Sequence, residues 1–257
     1  MITILFLTAL FAPLIAPAEP SADNWHSRLR PPELRLSGLL GTDHLGRDVF
    51  SRLVHGARLS IAISLATLFV SLALGVILGL LAGYFGGICD SAVMFAVEVL
   101  LAFPGMILAL VIVGIAGAGF FSTIAAISIV SWVGYARLVR GMTMSIKERD
   151  FVKAARISGT GDFGILTRHI LPNVLNPVIV YSATNISVIM AQIAGLSFLG
   201  LGVQPTAAEW GIMLNDARGY ITTAPRLAVA PSVSLVFMIT GFNLFGEGLA
   251  QYIGEDK

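Results

Sequence analysis

Six apolar runs, each about twenty residues long, constrain the fold of this 257-residue chain more than any other feature. They cover residues 1–17, 60–82, 91–115, 119–139, 174–201 and 228–250. A helix of this length crosses the hydrocarbon core of a bilayer, which is about 30 Å thick. In lipid a helix satisfies its own backbone hydrogen bonds, whereas an open sheet does not. The sequence therefore predicts an all-α integral membrane protein with six transmembrane helices.

Composition independently favours a membrane environment. Hydrophobic residues make up 56% of the chain and charged residues only 12%, whereas soluble domains carry roughly 25% charged residues. We expect one membrane domain over residues 1–257, with no additional soluble domain. Its parts are a first helix (1–17), a polar segment between the first two runs (18–59) and a five-helix core (60–250) that includes a loop at 142–172.

The first apolar run allows two interpretations. Ala16-Pro17-Ala18 faintly resembles a signal-peptidase site, but no Lys or Arg precedes the run, and signal peptides normally begin with a basic region. We therefore expect a retained first helix and a natural start upstream of Met1. The single cysteine, Cys89, excludes an intrachain disulfide.

The most distinctive polar stretch lies between the fourth and fifth runs. One helical face, at spacing i, i+3, i+4 and i+7, is formed by Phe151, Ala154, Ala155 and Ser158. Glycines at 159 and 161 are expected to stop this helix. A second short helix is predicted from a cap at Asp162 to an end at Pro172, and its apolar face is Phe163, Leu166 and Ile170. Two short helices around a glycine turn could fit a groove on another protein.

This stretch resembles the "EAA" coupling loop of bacterial ABC importer permeases, which docks on the ATPase subunit. The residues that carry the resemblance are Ala154, Ala155, Gly159, Ile170 and Pro172. Lys153 stands where the family usually has Glu, so a salt bridge made by that Glu does not carry over. The alternative is an ordinary surface loop between two membrane helices.

Other segments resemble the dipeptide, oligopeptide and nickel permease family, in family order along the chain. They are Gly41–Asp48, Ser51-Arg52, Gly56–Arg58, Leu196–Gly202, Glu209–Gly211 and Phe242–Leu244 with Gly246 and Gly248. The resemblance is to the second, "C"-type permease. It implies a type I importer fold, a homologous second permease, two cytoplasmic ABC ATPases and an extracytoplasmic solute-binding protein. It also implies nickel or a nickel chelate as cargo, with short peptides as the alternative, because the run 208–221 is somewhat closer to the nickel members.

Charge alone does not orient the chain. The 16 Lys and Arg residues divide equally between the loops on the two sides, so the positive-inside rule gives no answer. The resemblance implies that residues 142–172 and both termini face the cytoplasm of a bacterium, across its inner membrane. Residues 18–59 and 202–227 would then lie outside.

Polar residues inside the runs are candidates for the translocation path, because they are costly in lipid. They are Glu98 in the third run, Asn185 and Gln192 on one face of the fifth, and Asn243 in the sixth. The alternative role for each is hydrogen bonding between helices.

Several other residues have expected structural roles. The spacing of Gly75, Gly79 and Gly83 favours close approach of another helix. Thr42 or Asp43 could cap a short helix, and Trp210 and Tyr220 are expected at the membrane interface. Charges alternate in sign at Asp43, Arg47, Asp48, Arg52 and Arg58. These charges either neutralise one another against a partner or the membrane surface, or belong to a solvated amphipathic helix.

Motifs for chemistry are missing from the sequence. No Lys follows a Gly, so there is no Gly-Lys-Ser/Thr phosphate-binding loop, and His-Glu-x-x-His and Cys-x-x-Cys are also absent. The spacing of His26, His44 and His55 does not fit a local metal site, and a net charge of +1 argues against nucleic-acid binding. We therefore expect no catalytic residue, no cofactor and no bound metal, and partners limited to lipid and the other importer subunits. A channel, a secondary carrier or a membrane enzyme are the alternative classes.

Overall fold

The computed structural model describes residues 2–34, 38–203 and 207–255, and within these ranges it contains helices and no β-strand. The helices are α1 (Ile2–Leu10), α2 (Ala12–Ile15), α3 (Val49–Phe85), α4 (Gly87–Leu101), α5 (Gly105–Ala116), α6 (Phe120–Ile146), α7 (Asp150–Ile157), α8 (Asp162–Gly164), α9 (Leu171–Phe198), α10 (Trp210–Ala217) and α11 (Arg226–Glu255). A π-helical turn, Ile165–Ile170, joins α8 to α9, and 3₁₀ turns lie at Trp25–Ser27 and Arg218–Tyr220. The predicted all-α class is confirmed.

Four helices of the described chain are long and apolar enough to cross a membrane by themselves. They are Val49–Phe85, Phe120–Ile146, Asp162–Phe198 and Arg226–Ile253. The predicted third run is broken, because α4 and α5 meet at an angle of 92°. Pro104 at the break has no N–H to continue the helical hydrogen bonds of α4. The bent pair counts as one span at most.

The predicted first span is shorter than expected. Within residues 1–17, α1 has nine residues and α2 only four, with a proline in its first turn. Nine helical residues rise about 13 Å, less than half of the hydrocarbon core. The expected count of six transmembrane helices is therefore not confirmed.

Helix α3 is longer than its apolar run, because it starts at Val49 rather than near residue 60. Asp48 caps it by accepting a hydrogen bond from the backbone N–H of Ser51 at 2.7 Å. Its 37 residues rise about 55 Å, so it extends well beyond the bilayer core. It ends at Gly86, whose φ of +66° favours glycine. The two ends of α3 mark the two ends of the bundle.

The glycines of α3 bring it against α6, as the sequence predicted. A Cβ on Gly75 would lie 2.3 Å from Cβ of Tyr135, and one on Gly79 would lie 2.7 Å from the carbonyl oxygen of Ala136. A Cβ on Gly83 would meet Cβ of Thr143 at 2.7 Å. These contacts leave no room for a side chain, so the small-residue spacing is a packing feature.

Candidate functional site

The residues that the sequence predicts to couple to a partner lie in the coupling segment, which we define as residues 150–172. Its anchor is Val152, which is 1% exposed and packs with buried Ile146, Ile165 and Ile170. Tyr84 at the end of α3 belongs to the same apolar cluster. The coupling segment is thus fixed to the bundle by its own apolar residues.

The outward side of the coupling segment carries large apolar side chains. Ile157 is 88% exposed and Phe163 is 80% exposed, and Phe151 is also exposed. Of the predicted face, Ala154 and Ser158 are exposed and Ala155 is half-buried. Sequence reasoning grouped Phe163 with Leu166 and Ile170 on one apolar face, but Phe163 is exposed while Ile170 is fully buried. It also missed Ile157, which lies next to the predicted face of α7. Large exposed apolar residues beside charged ones, at the end of the bundle, are typical of a protein–protein contact.

Gly159 supplies the turn between α7 and α8. Its φ is +83°, which L-residues with side chains rarely adopt. Its N–H bonds to the carbonyl of Arg156, and the next N–H, of Thr160, bonds to the carbonyl of Ala155. No atom lies within 4 Å of the position that a Cβ would occupy. Glycine is therefore favoured at position 159 by the left-handed backbone conformation, and not by a lack of room for a side chain within the chain.

Two details of the predicted second helix are wrong. Gly161 occupies the cap position, and the Asp162 carboxylate instead accepts a hydrogen bond from the Tyr84 hydroxyl at 2.6 Å. Pro172 does not end the helix, which continues to Phe198. It lies in the first turn of α9, directly after the π turn, where the loss of one N–H costs little.

The remaining motif residues of the coupling segment have different surroundings. Ile170 is fully buried and supports the segment from inside, whereas Pro172 is exposed. Lys153 is exposed and pairs with Glu148 of the same chain at 3.6 Å.

The polar candidates of the spans do not form one hydrogen-bonded cluster within the described chain. Asn185 donates to the hydroxyl of buried Tyr135 at 3.2 Å, a bond that joins α9 to α6. Gln192 is half-buried, and its Oε1 has no hydrogen-bond partner among the described residues. Glu98 and Asn243 lie on exposed sides of α4 and α11. The geometry favours a helix-joining role for Asn185, while Glu98 and Asn243 face space that a partner, lipid or cargo could occupy.

A buried ion network lies at the end of the bundle opposite the coupling segment. Arg47 contacts Asp43 at 2.7 Å and Asp216 at 3.1 Å, and Arg52 contacts the same two carboxylates at 3.3 Å. Arg47 and Arg52 are 3% and 1% exposed. Burial raises the pKa of Asp216, while His44 and Arg47 act in the opposite direction. Both expected alternatives are therefore wrong for Asp43, Arg47 and Arg52, which with Asp216 neutralise one another inside the chain. Arg58 is exposed and does not join the network.

Asp43 does not cap a helix, in contrast to our expectation. Its carboxylate accepts from the backbone N–H groups of Leu45 and Arg47, both at 2.9 Å, and so shapes the turn that precedes α3. One carboxylate thus organises the local turn and also pairs with two arginines.

The Glu209-Trp210-Gly211 motif forms the start of α10 at this same end. Glu209 accepts from the N–H groups of Gly211 and Ile212, at 2.9 and 3.0 Å, and from the Ser60 hydroxyl at 3.2 Å. It is 1% exposed, and burial raises its pKa although these hydrogen bonds act in the opposite direction.

Trp210 lies in the protein core and not at a membrane interface, which corrects our expectation. Its indole N–H donates to the carbonyl of Leu53 at 2.9 Å. A Cβ on Gly56 would lie 2.7 Å from the indole, so the absence of a side chain there makes room for the ring. Tyr220 is half-buried, accepts from Arg28 and stacks on His44.

A metal site is not the best interpretation of this end. Ligand atoms of Asp43, His44 and Asp216 lie within 4.8 Å of one another. Both carboxylates are already paired with Arg47 and Arg52, so a divalent cation would add uncompensated positive charge beside two guanidinium groups. Among the described residues, neither His26 nor His55 joins this group.

Comparison with known proteins agrees with these features. The family model described as "Binding-protein-dependent transport system inner membrane component" matches residues 75–256. The nickel transport system permease protein NikC of Escherichia coli (strain K12) is 40% identical over 253 residues, covering 98% of this chain and 91% of that protein. The glutathione transport system permease protein GsiD of Escherichia coli O6:K15:H31 (strain 536 / UPEC) is 42% identical over 250 residues, covering 96% and 82%.

Solved structures show the same fold. An inward-facing structure of the MetNI methionine ABC transporter matches with a TM-score of 0.64 at 18% identity, covering 79% of this chain and 97% of that one. An amino acid ABC transporter solved with histidines matches with a TM-score of 0.61 at 14% identity. With relatives at about 40% identity over nearly the whole sequence and a family model over most of it, the chain belongs to the binding-protein-dependent transport system inner membrane component family.

Proposed function

We propose that this chain is a permease subunit of an ATP-driven ABC importer and forms half of its translocation pathway. The observation that carries the proposal is the coupling segment, which is fixed to the bundle by Val152 yet presents exposed Ile157 and Phe163. A surface of this kind suits a groove on a soluble subunit. The family membership and the permease relatives support the same conclusion.

The importer would contain a homologous second permease, two cytoplasmic ATPases and an extracytoplasmic solute-binding protein. ATP binding would close the ATPase pair and move the coupling segment of each permease. The two permeases would then alternate between inward-open and outward-open states, with the energy supplied by the nucleotide. The chain itself has no phosphate-binding motif, so its partners would hydrolyse ATP.

For the cargo, we propose nickel or a nickel chelate, with a small peptide as the alternative. One similar relative is a nickel permease and another a glutathione permease, and their identities to this chain are nearly equal. Uptake of radiolabelled nickel and of radiolabelled glutathione, in cells with and without this chain, separates the two. Loss of nickel uptake alone would support the first proposal, and loss of glutathione uptake alone would support the second.

Assembly with the ATPases tests the proposed function directly. Ile157→Ser should weaken co-purification of the ATPases, because it removes exposed apolar area from the docking surface. Ile221→Ser makes the same change at an exposed residue at the opposite end of the bundle and serves as the matched control. Equal recovery of ATPases with both variants would refute docking through the coupling segment.

Orientation is tested by cysteine labelling in a Cys89→Ala background. We propose that the coupling segment is cytoplasmic and that the stretch after α10 is extracytoplasmic. A cysteine at Thr222 should react with an impermeant reagent in intact cells, while one at Ser158 should react only after the membrane is opened. The reverse pattern would place the ATPase-docking surface on the wrong side and refute the proposed function.

A further inference from the structure

Tyr84 lies at a junction between the bundle and the coupling segment. It is the second-last residue of α3 and is 7% exposed. The next two glycines, Gly86 and Gly87, have φ values of +66° and +52°, and the chain turns there into α4. The ring is held in the same apolar cluster as Val152, so the position of its hydroxyl is determined by the bundle.

The Tyr84 hydroxyl bonds to both sides of the Gly159 turn. It donates to Oδ1 of Asp162 at 2.6 Å and accepts from Nη2 of Arg156 at 3.2 Å. Arg156 is in the last turn of α7, and Asp162 is the first residue of α8. One hydroxyl group therefore holds the two short helices together and ties both to the end of α3.

The two hydrogen bonds of the Tyr84 hydroxyl matter more for the relative position of α7, α8 and α3 than for the free energy of unfolding. Arg156 and Asp162 are exposed, so water could replace the hydroxyl as their partner at little cost. What water cannot replace is a fixed distance between the two helices and α3. Without that link, the turn could change its angle around Gly159 while Val152 stays anchored.

We propose that Tyr84 is a positioning residue, which locks the Gly159 turn to α3 so that movement of the coupling segment displaces the bundle. The alternative is that the turn absorbs part of the movement and less of it reaches the membrane helices. This inference rests on the proposed function, because it concerns how motion of a docked ATPase enters the permease.

The substitution Tyr84→Phe keeps the ring and its packing and removes both hydrogen bonds. In the complete importer, reconstituted in lipid nanodiscs, amide exchange over residues 154–162 should become about twofold faster, the lower end of what loss of a hydrogen bond gives when water can replace the lost partner. Hydrolysis of ATP stimulated by the loaded binding protein should fall, while recovery of the ATPases stays unchanged. Tyr252→Phe makes the same change at an exposed tyrosine near the end of α11 and is the control.

Variants of Asp162 separate positioning from a general loss of structure. Asp162→Asn keeps an oxygen that accepts from Tyr84 and should resemble the wild type in both measurements. Asp162→Ala removes one of the two bonds, so it should change both measurements in the same direction as Tyr84→Phe but to a smaller extent. The double variant should be little worse than Tyr84→Phe alone, since loss of the hydroxyl already removes both bonds.

The outcomes are distinct for the two proposals. Wild-type exchange in Tyr84→Phe, or faster exchange with undiminished stimulation, would overturn the positioning role while leaving the importer assignment intact. A wild-type complex that neither binds ATPases nor is stimulated by a binding protein would refute the proposed function itself. Faster exchange with reduced stimulation supports both.

Discussion

Substitutions at Gly159 test whether the coupling segment acts through its turn. The residue has a φ of +83°, in the left-handed region, and an added Cβ would meet no atom within 4 Å. The cost of a side chain is therefore a backbone cost, which is about 1–2 kcal/mol for an ordinary L-residue. Such a cost lowers the population of the native turn by roughly five- to thirtyfold relative to other conformations.

A graded series follows from this cost. Of the three replacements, Asn tolerates the left-handed region best, Ala tolerates it less well, and the β-branched Val tolerates it least. Stimulated ATP hydrolysis and transport should therefore decrease in the order Gly, Asn, Ala, Val. Insertion into the membrane should stay constant, because the turn lies outside the long apolar helices.

Gly161 provides the matched control two residues away. Its φ is −70°, and a Cβ there would also meet nothing within 4 Å. Gly161→Ala should therefore leave hydrolysis and transport near the wild-type level. The measurement is transport per inserted molecule in membranes that contain the whole importer.

Two results would refute the reasoning about Gly159. Undiminished transport in Gly159→Val would show that the turn conformation is not needed. Equal loss in Gly159→Asn and Gly159→Val would show that the position must be small for contact with a partner, and that backbone conformation is not the cause.

Four further substitutions test packing, ion pairing, the path and titration. Gly79→Ala should lower the thermal unfolding temperature by forcing α3 from α6, at a cost of about 1–3 kcal/mol, whereas Gly141→Ala, which meets nothing within 4 Å, should not. Arg52→Met should cost about 3–5 kcal/mol in unfolding measurements, because it leaves buried carboxylates short of one cation. Glu98→Gln should reduce transport per inserted molecule more than it reduces expression; unchanged transport would exclude a path role. Because the pKa of Glu209 is raised in the folded state, protonated Glu209 adds to the free energy of unfolding at low pH, and this contribution is lost as pH rises through the raised pKa. Glu209→Gln should therefore remove this pH-dependent loss of stability from unfolding curves.

The coupling segment shows how far local sequence reasoning reaches. Periodicity and glycine placement predicted the first helix to within one residue and also the turn at Gly159. The partner of Asp162 could not be predicted, because Tyr84 is 78 residues away along the chain. From local sequence alone, an aspartate after a glycine is expected to cap the next helix, but Asp162 instead bonds to the distant Tyr84 hydroxyl.

The third apolar run shows where hydropathy misleads. Hydropathy is averaged over a window of residues and carries no information on the direction of the helix axis, so an apolar run that contains Pro104 is still predicted as one span. The 92° break depends on the missing N–H of that proline and on what α4 and α5 each pack against. Likewise, the alternating charges at 43–52 were visible in the sequence, but their burial depends on Asp216, more than 160 residues later.

The two ends of α3 have contrasting chemistry, and the contrast bears on how the permease would work. At its start, Arg47 and Arg52 are buried and ion-paired with Asp43 and Asp216, so this end resists displacement unless all of the pairs move together. At its other end, Tyr84 is held by two exposed groups that water can replace. Helix α3, about 55 Å long and packed through glycines against α6, joins these two ends. On the proposed function, ATP-driven movement enters α3 at the end where the Tyr84 hydroxyl links it to the coupling segment, and the buried ion network makes the opposite end move as a unit.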